Sequence, residues 1–355
     1  MNLDEPRRFR EVDPEDALAD VEATAVQWSE ARSRAGPSLD LDMVRAVVIT
    51  GMGGSGVTGD LVAALAAPAL DIPVLVHKGG ELPRWVGLGT LVIALSYSGQ
   101  TAETLESVTE AIARGCLVLA ISGGGTLDEI AREHGLGRVT VPGTGMPRHN
   151  LGKLAVPVLV ALGLDDGLHE AVTIQSDLAA ACGRDVPLVS NPAKQLAWAI
   201  AERGRMGGLV MVCARMGLPA VAALRLKCML NENAKLLACT AVLPELCHNE
   251  VVGWEIASML TRASGIVWLR DPLGEDPQTA RCVAVTDRML AERVAWTTQV
   301  AAHGRARIAR LASLLFFVDL VSVYTAIALD RDPTPIASIE RLKRGLVAQG
   351  SCSAR

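Results

Sequence analysis

The stretch RAVVITGMGGSG, residues 45–56, decides the fold. RAVVIT is apolar almost throughout, as expected of a strand covered on both faces; a half-exposed strand would alternate apolar with polar. GMGGSG follows at once, and a helix is expected over about 57–67. A strand that passes through a glycine-rich turn into a helix is the opening unit of a parallel α/β sheet. Outward from it the same grammar recurs. Strands are expected at 72–76 (IPVLV), 91–96 (LVIALS), 116–121 (CLVLAI) and 138–141 (RVTV), with helices at about 101–114 and 126–134. A loop rich in Gly and Pro covers 142–150, and an apolar helix starts at Leu151. Residues 164–190 are acidic and poorly periodic, and they lead into Asn191-Pro192, a helix start. The second half repeats the pattern, with LVMVC (209–213), a loop, a long helix to about Lys235, ACTAV (238–242), GIVWLR (265–270) and a strand around 296–300. The chain therefore reads as α/β, with two tandem subdomains, each a mainly parallel sheet flanked by helices in an α-β-α sandwich. The expected boundaries are an N-terminal helical extension over 1–40, a first subdomain over 41–163, a connector over 164–190, a second subdomain over 191–330 and a C-terminal helix over 331–355.

Composition narrows the class. The 355 residues suffice for about two domains, each large enough for its own core. Half are hydrophobic but only 3% aromatic, so Ala, Val and Leu must fill the interior. A net charge of -5 argues against a nucleic-acid partner, which calls for a basic face. The 8 Cys form no CxxC pair, so neither a disulfide framework nor a zinc knuckle is expected, and reduced thiols are the default. MNLDEPRRFREVDPED at the N-terminus has no apolar core of a signal peptide, which points to the cytoplasm. Residues 311–329 are nearly long enough to span a bilayer, but Asp319 sits mid-stretch, at a cost of about 2.5–3.5 kcal/mol in a membrane. A buried helix of a soluble domain is expected there, and no membrane partner.

Two loops can hold an anion. In GMGGSG the backbone N–H groups around Gly53 and Gly54 converge at a helix N-terminus. The loop also satisfies G-x-G-x-x-G. A dinucleotide site, however, needs a carboxylate at the tip of the next strand, and IPVLV ends in His77-Lys78. No P-loop motif is present. SYSGQT, residues 96–101, places Ser96, Ser98 and Thr101 ahead of a second helix, and Ser55 adds a hydroxyl from the first loop. One such residue is explained by helix capping. All of them at two neighbouring strand ends favour a phosphate monoester.

GMGGSG with SYSGQT resembles the sugar isomerase (SIS) domain. Further segments narrow the resemblance to the bifunctional phosphoglucose/phosphomannose isomerase family: MPRHNLG (146–152), NPAKQLA (191–197), LRLKCMLNENAK (224–235), LPELCHNEVVGWE (243–255) and DPTPIASIERLK (332–343). NENAK followed by PELCHNE is the specific part. The resemblance implies an aldose–ketose isomerase acting on glucose 6-phosphate, mannose 6-phosphate and fructose 6-phosphate, with no metal and no cofactor. A proton next to the sugar carbonyl must be moved between C1 and C2, and a carboxylate can shuttle it. Glu232 matches the family's catalytic Glu, working through a cis-enediol(ate); the plain alternative is a helix-end carboxylate paired with Lys235. Arg148 matches the Arg that stabilises the enediolate charge, where a solvent-exposed loop Arg is the ordinary fate. His248 matches the ring-opening His, supplied in the family by the second chain of a homodimer, and Lys343 matches a Lys that also contacts the sugar during ring opening. Gln100, Thr126 and Met146 depart from the family's usual Asn, Lys and Pro without touching a residue assigned to a chemical step. The alternatives are an isomerase of one C2 epimer only and a non-catalytic sugar-phosphate sensor, although no basic helix-turn-helix of a regulator is present.

Overall fold

The computed structural model describes residues 3–143 and 145–350. Residues 1–2 of the expected N-terminal extension and 351–355 of the expected C-terminal helix lie outside the described residues. Three helices open the chain, α1 (Pro6–Val12), α2 (Ala17–Glu22) and α3 (Thr24–Arg34). The first sheet alternates with its helices as β1 (Ala46–Thr50), α4 (Gly54–Ala66), β2 (Val74–His77), β3 (Thr90–Ser96), α5 (Ala102–Ala113), β4 (Leu117–Ser122), α6 (Gly125–Glu133) and β5 (Gly137–Thr140), and α7 (Leu151–Ala161) follows. Every pair in it is parallel, in the order β2-β1-β3-β4-β5. All residues of β1 and β3 are buried, as their unbroken apolar runs require.

The second half continues with α8 (Leu168–Cys182), α9 (Pro192–Arg205), β6 (Val210–Arg215), α10 (Leu218–Glu232), β7 (Ala238–Leu243), α11 (Glu250–Gly253), α12 (Met259–Ala263), β8 (Gly265–Arg270), α13 (Pro277–Ala291) and β9 (Trp296–Ala301). Its sheet is also parallel, in the order β7-β6-β8-β9. α14 (Arg307–Ala328) and α15 (Ala337–Gly350) close the chain.

Residues 164–190 differ from the expected connector. They contain α8, whose Leu168, Ala171, Gln175 and Cys182 are buried and which packs on α14. Val172, Ile174, Leu178 and Ala179 beside this strip also pack against the core, so apolar residues spread around the helix and blur its period even though it belongs to the core. α14 shows the opposite extreme. Every residue from Ile308 to Ala328 is buried, because α8, α9 and α10 surround the helix. Among the described residues it is the one helix long and apolar enough to cross a membrane, yet it sits inside this fold. Its Asp319 carries no bare charge: Arg225 of α10 grips it through Nε and Nη2 at 2.7 and 2.9 Å. One continuous core runs through both halves, from Val47 and Leu61 through Leu314 to Val212 and Leu226.

Candidate active site

Strand order places the two anion loops side by side. β1 pairs with β2 on one flank and with β3 on the other, so the connections leaving β1 and β3 part in opposite directions. Such a reversal opens a crevice at the carboxyl ends of the two strands, the usual ligand position in an open α/β sheet. α4 begins at Gly54, three residues earlier than the sequence predicts, so Gly54 and Ser55 stand in its first turn, where the Ser55 N–H donates to the Met52 carbonyl at 3.1 Å. Gly53 caps it at φ 55°, a left-handed conformation that suits glycine. In the facing loop a Cβ on Gly99 (φ 65°) would lie 1.8 Å from the Gly124 carbonyl oxygen, so the turn between Ser98 and Thr101 closes only around glycine. Ser96 Oγ and Thr101 Oγ1 are 2.9 Å apart, and exposed Ser98 accepts from the Gln100 N–H at 3.2 Å. Gly53, Gly54 and Ser55 thus follow the end of β1, and Ser96, Ser98 and Thr101 stand at the end of the neighbouring β3.

Arg148 adjoins that crevice. It lies on a short turn, Pro147–His149, whose backbone rests against the start of α4; a Cβ on Gly54 would meet the Arg148 Cα at 3.6 Å. The side chain is buried, unlike that of an ordinary loop Arg, with 4% of its surface exposed. Nε donates to Asn233 Oδ1 at 2.7 Å, and Nη2 donates to the carbonyls of Pro333 (2.6 Å) and Thr334 (2.7 Å). Nη1 has no partner among the described residues. Three donors are thus spent on fixing the guanidinium, and one nitrogen is left to meet a ligand. Burial lowers the Arg148 pKa, and the nearby Glu232 carboxylate works against that shift.

Glu232 ends α10, half-buried. It is near enough for its charge to act on Arg148, but the two form no direct ion pair. Nor does Lys235 pair with it. The Lys235 ammonium bonds instead to the carbonyls of Asp332, Asn233 and Pro333 at 2.5, 3.2 and 3.3 Å. Burial and the Arg148 charge bring Lys235 down to about 8. The turn carrying Arg148 and the end of α10 are locked together from behind. Arg225 donates both to Asp319 and to the Arg148 carbonyl, while Asn233 Nδ2 donates to Ser322 of α14 at 2.9 Å.

Sequence reasoning did not single out Asn233, Arg225 or Asp319 as part of a site. The available signal was a lone acid inside an apolar helix, which calls for a buried cation elsewhere in the chain. Two predicted residues stay apart. His248 ends the turn Glu245–His248 after β7, the outer strand of the second sheet, and is exposed without a partner among the described residues. Lys343 is likewise exposed on α15.

The sequence pattern of the bacterial phospho-glucose isomerase C-terminal SIS domain matches residues 189–346, and that of the SIS domain matches residues 41–136. A bifunctional phosphoglucose/phosphomannose isomerase of Caldicellulosiruptor bescii is 36% identical over 307 residues, covering 84% of this chain and 89% of its own. The chain belongs to the bifunctional phosphoglucose/phosphomannose isomerase family. It is an isomerase, built on the SIS fold. A second member, from Aquifex aeolicus, is 32% identical over 309 residues, covering 86% of this chain and 92% of its own. A glucose-6-phosphate isomerase like protein from Thermus thermophilus has the same fold, with a TM-score of 0.61 at 20% identity over 94% of this chain and 97% of its own.

Proposed function

We propose that this isomerase interconverts glucose 6-phosphate and mannose 6-phosphate with fructose 6-phosphate in the cytoplasm. In this reading the 6-phosphate sits between β1 and β3, held by the hydroxyls of Ser55, Ser96, Ser98 and Thr101 and by the N–H groups of Gly53 and Gly54. Holding the remote phosphate orients C1 and C2 beside Glu232. Glu232 takes the proton from one of these carbons and returns it to the other through a cis-enediol(ate). Arg148 faces the enediolate oxygens through its unspent Nη1, a fixed charge that needs no reorganisation as negative charge develops. His248 and Lys343 open the sugar ring, His248 reaching the site from a second copy of the chain. The support for that copy is local: His248 is exposed, and Val252, Ile256, Met259 and Leu260 after it leave 59%, 67%, 89% and 53% of their surface uncovered.

The observation that carries the proposal is the placement of Arg148, its backbone on Gly54 of the anion loop and its side chain beside Glu232. Glu232→Gln is expected to keep the fold and lose solvent-hydrogen exchange at C2, with turnover down by roughly 10²–10⁴. Near-normal exchange would reject Glu232 as the base. Turnover of mannose 6-phosphate and of glucose 6-phosphate, each with a chelator present, separates a dual enzyme from one restricted to a single epimer. Binding of fructose 6-phosphate without turnover would instead mark a sensor.

A further inference from the structure

Cys247 immediately precedes His248 in the exposed turn after β7. Its Sγ lies 3.2 Å from Sγ of Cys282, which belongs to α13 and is distant in sequence. Thr286 Oγ1, one turn further along α13, lies 3.6 Å from the same Cys247 sulfur. Both thiols are partly exposed, at the edge of a shallow groove lined by Val251, Arg281, Val285 and Met289. Neither thiol has a task in the isomerisation described above. The other described cysteines have no such thiol neighbour.

We propose that Cys247 and Cys282 form a reversible disulfide under hydroperoxide, and that this bond governs the His248 turn. One thiolate attacks the peroxide O–O bond, giving a sulfenic acid and hydroxide. The second thiol displaces the sulfenic oxygen as water and the S–S bond forms. In balance, two thiols and one hydrogen peroxide give one disulfide and two waters; sulfur is oxidised and peroxide reduced. Closing the bond brings the sulfurs from 3.2 Å to about 2.05 Å, drawing the Cys247 backbone towards α13. His248 is the next residue and shifts with it. The consequence for turnover rests on the ring-opening role proposed above for His248; the disulfide does not.

The test uses the full chain, treated with hydrogen peroxide and then freed of it. Expected are an intact mass lower by about 2 Da, a Cys247–Cys282 cross-linked peptide and two fewer titratable thiols. Turnover on cyclic mannose 6-phosphate should fall by about tenfold to a hundredfold, the scale of a misplacement near 1 Å, and return with dithiothreitol. Cys282→Ser should turn over normally and lose both the cross-link and the peroxide sensitivity. Absence of the cross-link overturns the proposal, as does peroxide sensitivity that persists in Cys282→Ser. His248→Ala separates the two layers. A cross-linked enzyme of full activity, with His248→Ala impaired, overturns the switch and leaves the His248 role standing. Full activity in both removes the His248 role and the switch together.

Discussion

Arg148 owes its fixed position to buried charges two steps removed from the crevice. Arg225 bonds to Asp319 and to the Arg148 carbonyl, and its burial keeps bulk water from replacing a lost partner. Asp319→Asn leaves the Arg225 charge uncompensated and is expected to cost about 3–5 kcal/mol, read from urea unfolding. Joint replacement, Arg225→Met with Asp319→Leu, should regain most of that stability while turnover stays low, because the Arg148 carbonyl has lost its donor. Full activity in the joint variant would remove the positioning role. His149 offers a pH test. Burial and the charges of Arg148 and Arg225 push its imidazole down to about 3. Below pH 6.5, its ordinary value, the unfolded chain therefore takes up a proton that the folded chain refuses. Its contribution to stability is full above about pH 6.5 and is lost as pH falls towards 3, amounting to about 2 kcal/mol by about pH 5. His149→Gln should show a flatter decline between about pH 7 and 5 than the parent; an identical decline would sink the assignment. At this scale the residue types were legible and their surroundings were not. MPRHN reads as an ordinary basic loop until the chain from Asn233 to Thr334 closes around it.

The strands were readable to within about two residues, whereas α4 starts three residues early and α13 had no counterpart in the sequence reading. RAVVIT and LVIALS became β1 and β3 because burial on both faces leaves a mark in composition that needs no knowledge of neighbours. The turns were legible for a related reason. SYSGQT needs its glycine, since a Cβ on Gly99 would strike the Gly124 carbonyl and the φ is positive. Gly99→Ala should strain this turn by about 1–3 kcal/mol, raising KM for the phosphosugar about tenfold with smaller change in kcat. An unchanged KM would separate the loop from phosphate binding. α8 is another failure at this scale. Its apolar residues, Val172, Ile174 and Leu178 as well as the buried Leu168 and Ala171, spread over more than one face and leave no clean helical period in 164–190.

For the whole molecule the sharpest expectation concerns assembly. If His248 serves the crevice of a second copy, Glu232→Gln and His248→Ala are each inactive alone, yet a mixed dimer carries one crevice with both residues intact. After subunit exchange, an equal mixture should recover about a quarter of the parent activity. No recovery, with exchange verified by mass, would place both residues in one chain's own site or discard one of them. The exposed apolar residues Val252, Ile256, Met259 and Leu260 and the exposed residues 337–345 of α15 are where such a copy would dock. What the amino-acid order alone determined is the succession of strands, helices and small-residue turns, because periodicity and turn stereochemistry act within a few residues of one another. Folding in three dimensions decided the rest: that β1 lies between β2 and β3 and so opens the crevice, that Asp319 answers Arg225, and that Arg148 is buried beside Glu232. Those pairings join groups as much as 94 residues apart. No local pattern encodes them, since whether a charge is buried or solvated depends on what the distant chain packs against it.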